Sequence, residues 1–113
     1  MMTVAQHELL AGGRWQGLAL VEQLAHVGSE VERAIRAHTA ARIDRRDRAL
    51  NRALELFDLT AADHRWRGSR RREILRAREY VCRCFFDEMT EADTAEFLQR
   101  YFLQFARAAR RAR

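Results

Sequence analysis

Proline is absent from all 113 residues, and only five glycines occur. Such a chain has little to break a helix from within, whereas a turn-rich β protein needs those breakers. Helical spacing is what the sequence then displays. Leu50, Ala53, Leu54 and Phe57 recur three and four apart, which is one face of a helix, and Leu56 and Leu59 widen that face. A broad apolar face needs neighbours on more than one side. Arg52, Glu55 and Asp58 form a polar stripe at the same period. Residues 52–60 are therefore expected in the central helix of a small bundle.

Three further amphipathic stretches surround it. Residues 18–38 place Leu18, Val21, Leu24, Ala25, Val31, Ile35 and His38 on one side of a helix. Gly28 falls on that side, where the missing Cβ is expected to admit the helix at 50–58. Thr39-Ala-Ala-Arg is the expected connection to a helix over 43–59, in which Asp44 and Arg48 are spaced for a surface pair. Residues 60–68 read as the longest loop. Ser69 is a suitable N-cap for a third helix over 69–89, with Ile74, Ala77, Val81, Phe85 and Met89 inward and Leu75 and Phe86 beside them. Asp93 and Glu96 have capping-box spacing ahead of a fourth helix over 94–109, which buries Leu98, Tyr101, Phe102 and Phe105. Residues 1–13 are expected to be weakly ordered, with Trp15 packing back onto the first long helix. Residues 14–113 then form one domain, an all-α antiparallel four-helix bundle with a basic tail.

No apolar run approaches the ~20 residues that span a bilayer, and the N-terminus lacks the pattern of a secretion signal. The expectation is a cytoplasmic protein with no membrane partner. All 21 basic residues are arginine, which codon bias toward arginine explains as readily as chemistry does. The placement of charge is more informative. Residues 65–83 carry eight arginines against two acids, residues 84–96 five acids and no arginine, and residues 97–113 five arginines and no acid. Residues 1–64 come to a net charge of −1.

Three strings carry a family resemblance: Gly28-Ser-Glu-Val-x-Arg33-Ala-Ile35, Arg52-Ala-Leu-Glu-Leu-x-Asp58-Leu-Thr60 and Glu73-Ile-x-Arg76-x-Arg78-Glu79. Together they resemble the pattern of a family of small bacterial all-helical proteins, generally labelled hypothetical, over residues 15–105. The resemblance implies a free-standing cytosolic helical protein and brings no activity with it. The chain departs from the pattern after Ile35, where the connection is longer and more basic, and at Arg83, where the pattern is acidic.

The polar residues shared with that pattern, Glu30, Arg33, Arg52, Glu55, Asp58, Glu73, Arg76 and Glu79, are acids and arginines at helical spacing on three helices. They are expected to form an inter-helix salt-bridge network; the sharper alternative is an anion pocket on Arg33, Arg52 and Arg76. A second candidate surface combines Arg65, Arg67, Arg70, Arg71 and Arg72, interleaved with Trp66, with Arg107, Arg110 and Arg111. Those blocks suit sequence-nonspecific contact with RNA or DNA phosphates, or pairing with the acidic block across a homo-oligomer. Arg33 and His38 match the R-x4-H form of some HEPN-type helical ribonucleases. Glu22, His26 and Glu30 lie four apart but on one helix only, so no metal is expected. Cys82 and Cys84 are read as buried reduced thiols, because side chains two apart on a helix diverge. No catalytic set and no cofactor emerges. The reading is a non-catalytic helical interaction or scaffold protein that self-associates, with nucleic-acid binding as the alternative and a HEPN-like ribonuclease behind both.

Overall fold

The apolar stripes become four helices in a computed structural model, which describes residues 14–87 and 91–111, the side chains of 91–93 excepted. They are α1 (Leu20–Thr39), α2 (Ile43–Ala61), α3 (Ser69–Phe86) and α4 (Glu91–Arg111), preceded by a 3₁₀ turn over Trp15–Gly17. Each helix packs against the next, and α4 closes back onto α1. The architecture is an all-α antiparallel four-helix bundle. Met89, expected in the third helix, and residues 1–13 lie outside the described residues.

The most extensively packed helix is α1, not the expected α2, because α1 is covered by α2 on one side and by α4 on another. Leu24, Val27, Val31, Ala34 and Ile35 of α1 meet Ala49, Leu50, Ala53, Leu56 and Phe57 of α2 in one core, to which α3 adds Ile74, Ala77 and Val81, and α4 adds Leu98 and Phe102. Trp15 packs back as expected and is fully buried, its ring 5.8 Å from that of His26. Gly28 does admit a close neighbour, but the neighbour is α4: a Cβ there would lie 2.9 Å from Cβ of Phe102. Leu75 and Phe86 stay on the outside, 44% and 66% exposed. Each sits one residue, ~100° of helix turn, off the inward line of α3. The neighbours α2 and α4 cover α3 less extensively than α1 is covered.

Two boundaries are set by backbone conformation. The chain leaves α1 through Ala41 at φ 57°, with Ala41 N–H donating to His38 O at 3.0 Å and Arg42 N–H to Ala37 O at 2.8 Å. This is a Schellman C-cap, a place glycine usually occupies. At α3 the expected N-cap shifts by one. Gly68, at φ 62°, precedes the helix; Ser69 is already helical, and no side chain caps that end. At α4 the helix begins at Glu91, so Asp93 lies inside its first turn, not at the cap.

A non-glycine residue in the left-handed region costs ~1–2 kcal/mol, and glycine's extra freedom in the unfolded chain takes back ~0.5–1. Ala41→Gly is therefore expected to stabilise the fold by roughly 0.5–1 kcal/mol in urea denaturation, despite glycine's poor helix propensity.

Candidate functional site

The expected inter-helix network resolves into separate clasps. Glu30, only 8% exposed, accepts from Arg33 Nη1 at 2.6 Å on its own helix and from Arg52 Nε at 2.9 Å on α2. Asp58 of α2 takes Arg78 of α3 at 3.2 Å, a partner outside the expected set. Glu73 of α3 accepts from the Tyr101 hydroxyl of α4 and lies 3.6 Å from Arg76. Burial, reinforced by that bond to a carboxylate, pushes the Tyr101 hydroxyl well above its ordinary pKa. Glu79 pairs within α3 to Arg83 at 2.8 Å, and Glu55 lies exposed on α2. Arg76 pairs with Glu73 on α3, and the groove lined by Arg33 and Arg52 does not include it.

The first basic block is partly structural. Asp63, buried in the loop after α2, receives Arg65 in a two-point fork, Nε to Oδ1 at 3.0 Å and Nη2 to Oδ2 at 2.8 Å. The same Nη2 donates to Leu18 O at 2.6 Å. Beneath this pair is Gln23, fully buried on α1, a residue with no role in the sequence reading. Its amide nitrogen donates to Trp15 O at 2.9 Å and to Asp63 Oδ2 at 3.1 Å, and its oxygen accepts from Trp66 Nε1 at 2.7 Å. Both amide hydrogens and the carbonyl are thus used. Trp66 is buried against this knot, with the Arg65 guanidinium 4.4 Å and that of Arg70 5.8 Å from its ring centre. Arg67 Nε donates to His64 O at 3.2 Å. Arg71, Arg72, Arg107, Arg110 and Arg111 are exposed.

A third cationic surface was not apparent from block charges. Arg33 and Arg36 of α1, Arg42 of the connection, and Arg45, Arg48 and Arg52 of α2 line one open groove of about 420 Å³. Among the described residues its other lining is Ala37, Ala40 and Ala49, with no carboxylate. Arg33 and Arg52 are held by Glu30, and Arg36 by Glu32 at 3.2 Å. Among the described residues, Arg42, Arg45 and Arg48 make no side-chain hydrogen bond or ion pair; the expected Asp44–Arg48 pair does not form. The cue was present in the spacing. Arg45, Arg48 and Arg52 are three and four apart, as are Arg33 and Arg36, and an antiparallel hairpin sets the two rows face to face.

The remaining candidates have structural occupations. His38 lies about 140° around α1 from Arg33. It accepts from Arg46 Nη1 at 3.2 Å and faces Phe85 edge-on, while Arg33 is held by Glu30. Glu22 accepts the Ala19 N–H at the start of α1, and Glu30 is engaged by its two arginines. Cys82 and Cys84 are half-buried free thiols, less enclosed than expected, and burial pushes the Cys82 thiol up. Among the described residues no group of His, Cys, Asp or Glu is arranged to hold a metal ion, and no helix is long and apolar enough to cross a membrane. Comparison with protein-family models, curated proteins and solved structures finds no match to this chain.

The Arg65 fork, opposed in part by burial, lowers the Asp63 carboxyl to about 2, below the ordinary 3.8. A carboxyl depressed on folding stabilises above its unfolded pKa and loses that contribution as pH falls through the folded one. Between about pH 4 and pH 2 this group is expected to withdraw about 2 kcal/mol. Urea midpoints measured across that window should fall less steeply in Asp63→Asn, which starts less stable at pH 7.

Proposed function

We propose that the chain is a non-catalytic helical module that binds polyanions through the α1–α2 groove. The observation that supports this best is the composition of the groove wall: six arginines, no carboxylate, and three guanidinium groups without a protein partner among the described residues. Like charges held together on a folded surface repel, and a bound polyanion relieves that repulsion. Guanidinium forks match phosphate oxygens two at a time. The engagement of Arg33 by Glu30 and of His38 by Arg46 favours a binding role over a ribonuclease one. A cytoplasmic setting, in which two free thiols remain reduced, goes with this reading.

Self-association is a second reading, supported by a different surface. Phe97 is 47% exposed although its ring stacks at 20° on Tyr101 and stands edge-on to Tyr80, and Phe86 is 66% exposed. Exposed aromatic side chains on α3 and α4 suit an interface between copies.

Long-chain inorganic polyphosphate is expected to raise the melting temperature by several degrees once it is well above its Kd. Sodium chloride at matched ionic strength should not; equal shifts from the two would refute polyanion binding. For self-association, light scattering at high protein concentration should report a dimer or larger species that Phe97→Ser converts to monomer. A wild-type protein already monomeric under those conditions excludes that reading.

A further inference from the structure

Taking the polyanion reading as its premise, we propose that the groove receives one strand of a nucleic-acid duplex by its phosphates, with no contact to the bases. The wall supplies only guanidinium groups and alanine methyls. Proteins that hold unpaired strands stack bases on aromatic rings, and among the described residues no aromatic one lines this groove. The remaining handle on a nucleic acid is its backbone, which a paired strand presents as a regular ridge.

The dimensions fit that ridge. From Arg45 to Arg52 the helix advances seven residues, about 10 Å at ~1.5 Å each. That is long enough to lie against a few successive phosphates of one strand. Arg33 and Arg36 face them from α1, so the strand is flanked on both sides, with Arg42 at the hairpin end. Ala37, Ala40 and Ala49 leave nothing longer than a methyl among the arginines, which lets a backbone lie low between the helices. The carboxylate of Glu30 holds Arg33 at 2.6 Å and Arg52 at 2.9 Å, fixing two forks before any ligand arrives. Arg42, Arg45 and Arg48 have no such tether and carry the binding. The groove is open along its solvent side, so a polymer passes through without having to end inside it.

The test is fluorescence anisotropy of the full chain with five probes: DNA and RNA duplexes of about 20 base pairs and mixed sequence, an unpaired strand of each, and labelled long-chain polyphosphate. Each is titrated over a range of salt. At least one duplex should bind more tightly than its unpaired strand. Replacing Arg42, Arg45 and Arg48 together by alanine should weaken duplex binding by about tenfold or more. The slope of log affinity against log salt should flatten by about 2.7, from ~0.9 per phosphate contact. Replacing the exposed Arg14, Arg83 and Arg100 by alanine removes the same charge and should change both quantities much less. Gln in place of each groove arginine is the second variant, should the alanine set fail to give a cooperative melt. The site assignment is overturned if the groove variants keep wild-type affinity and slope, or if the control set loses as much. Tighter binding of unpaired strands overturns the choice of duplex. Binding of polyphosphate alone overturns the partner class and leaves the polyanion reading standing; binding of none of the probes overturns both.

Discussion

The packing of α1 against α2 is the constraint from which the remaining geometry follows. Ala34, Ala49 and Ala53 are buried at this contact with at most 1% exposure, and such small side chains let the helix axes come close. Val27, Val31, Leu50 and Phe57 fill the seam around them. Burying side chains of that size contributes about 1.5–3 kcal/mol each, far more than any surface ion pair on the molecule. Once this hairpin exists, α4 has a defined seat on the other side of α1, where Gly28 leaves room for Phe102. The third helix bridges α2 and α4 with less contact to either.

Polar groups then select among arrangements that apolar burial alone would allow. The amide of Gln23 can satisfy all its hydrogen-bonding capacity only if the turn at Trp15, the carboxylate of Asp63 and the indole of Trp66 come to it together. Leaving any one of these buried groups unmatched costs ~1–3 kcal/mol, so the knot penalises other placements of the α2–α3 loop. Glu30, Asp58 and Glu73 play a lesser version of this part between successive helix pairs. The same contacts sort the arginines. Those with a carboxylate to meet became structural; those at 42, 45 and 48 have no partner among the described residues.

Helix existence, order and inward faces were legible because a period of three to four is a local property of the chain. Partner identity was not. Spacing shows that Gly28 lies on a packed face, but whether α2 or α4 fills the gap depends on which helix crosses there. Gln23 is of a type normally found at the surface, and its burial depends on residues 40 and 43 positions away. The end of α1 was blurred because an alanine occupies the left-handed position that glycine would have announced. The arginine groove was hidden by arithmetic: charge summed along residues 1–64 nearly cancels, whereas a helix sorts the same residues by angle. Acids at 44 and 47 sit close in sequence to Arg45 and Arg48, but neither lines the groove.

The arrangement separates two duties within one hairpin. Its inner side supplies most of the packing, and its outer side gathers charge, part of it clasped by Glu30 and Glu32 and the rest, at 42, 45 and 48, without a partner among the described residues. Such a division works only if the hairpin is the most persistent part of the molecule. Native-state amide hydrogen exchange measures that directly. The account predicts that the slowest amides, opening only on global unfolding, lie in the facing segments of α1 and α2, with α3 exchanging through smaller openings. Slowest exchange in α3 or α4, with α1 and α2 opening first, would contradict it.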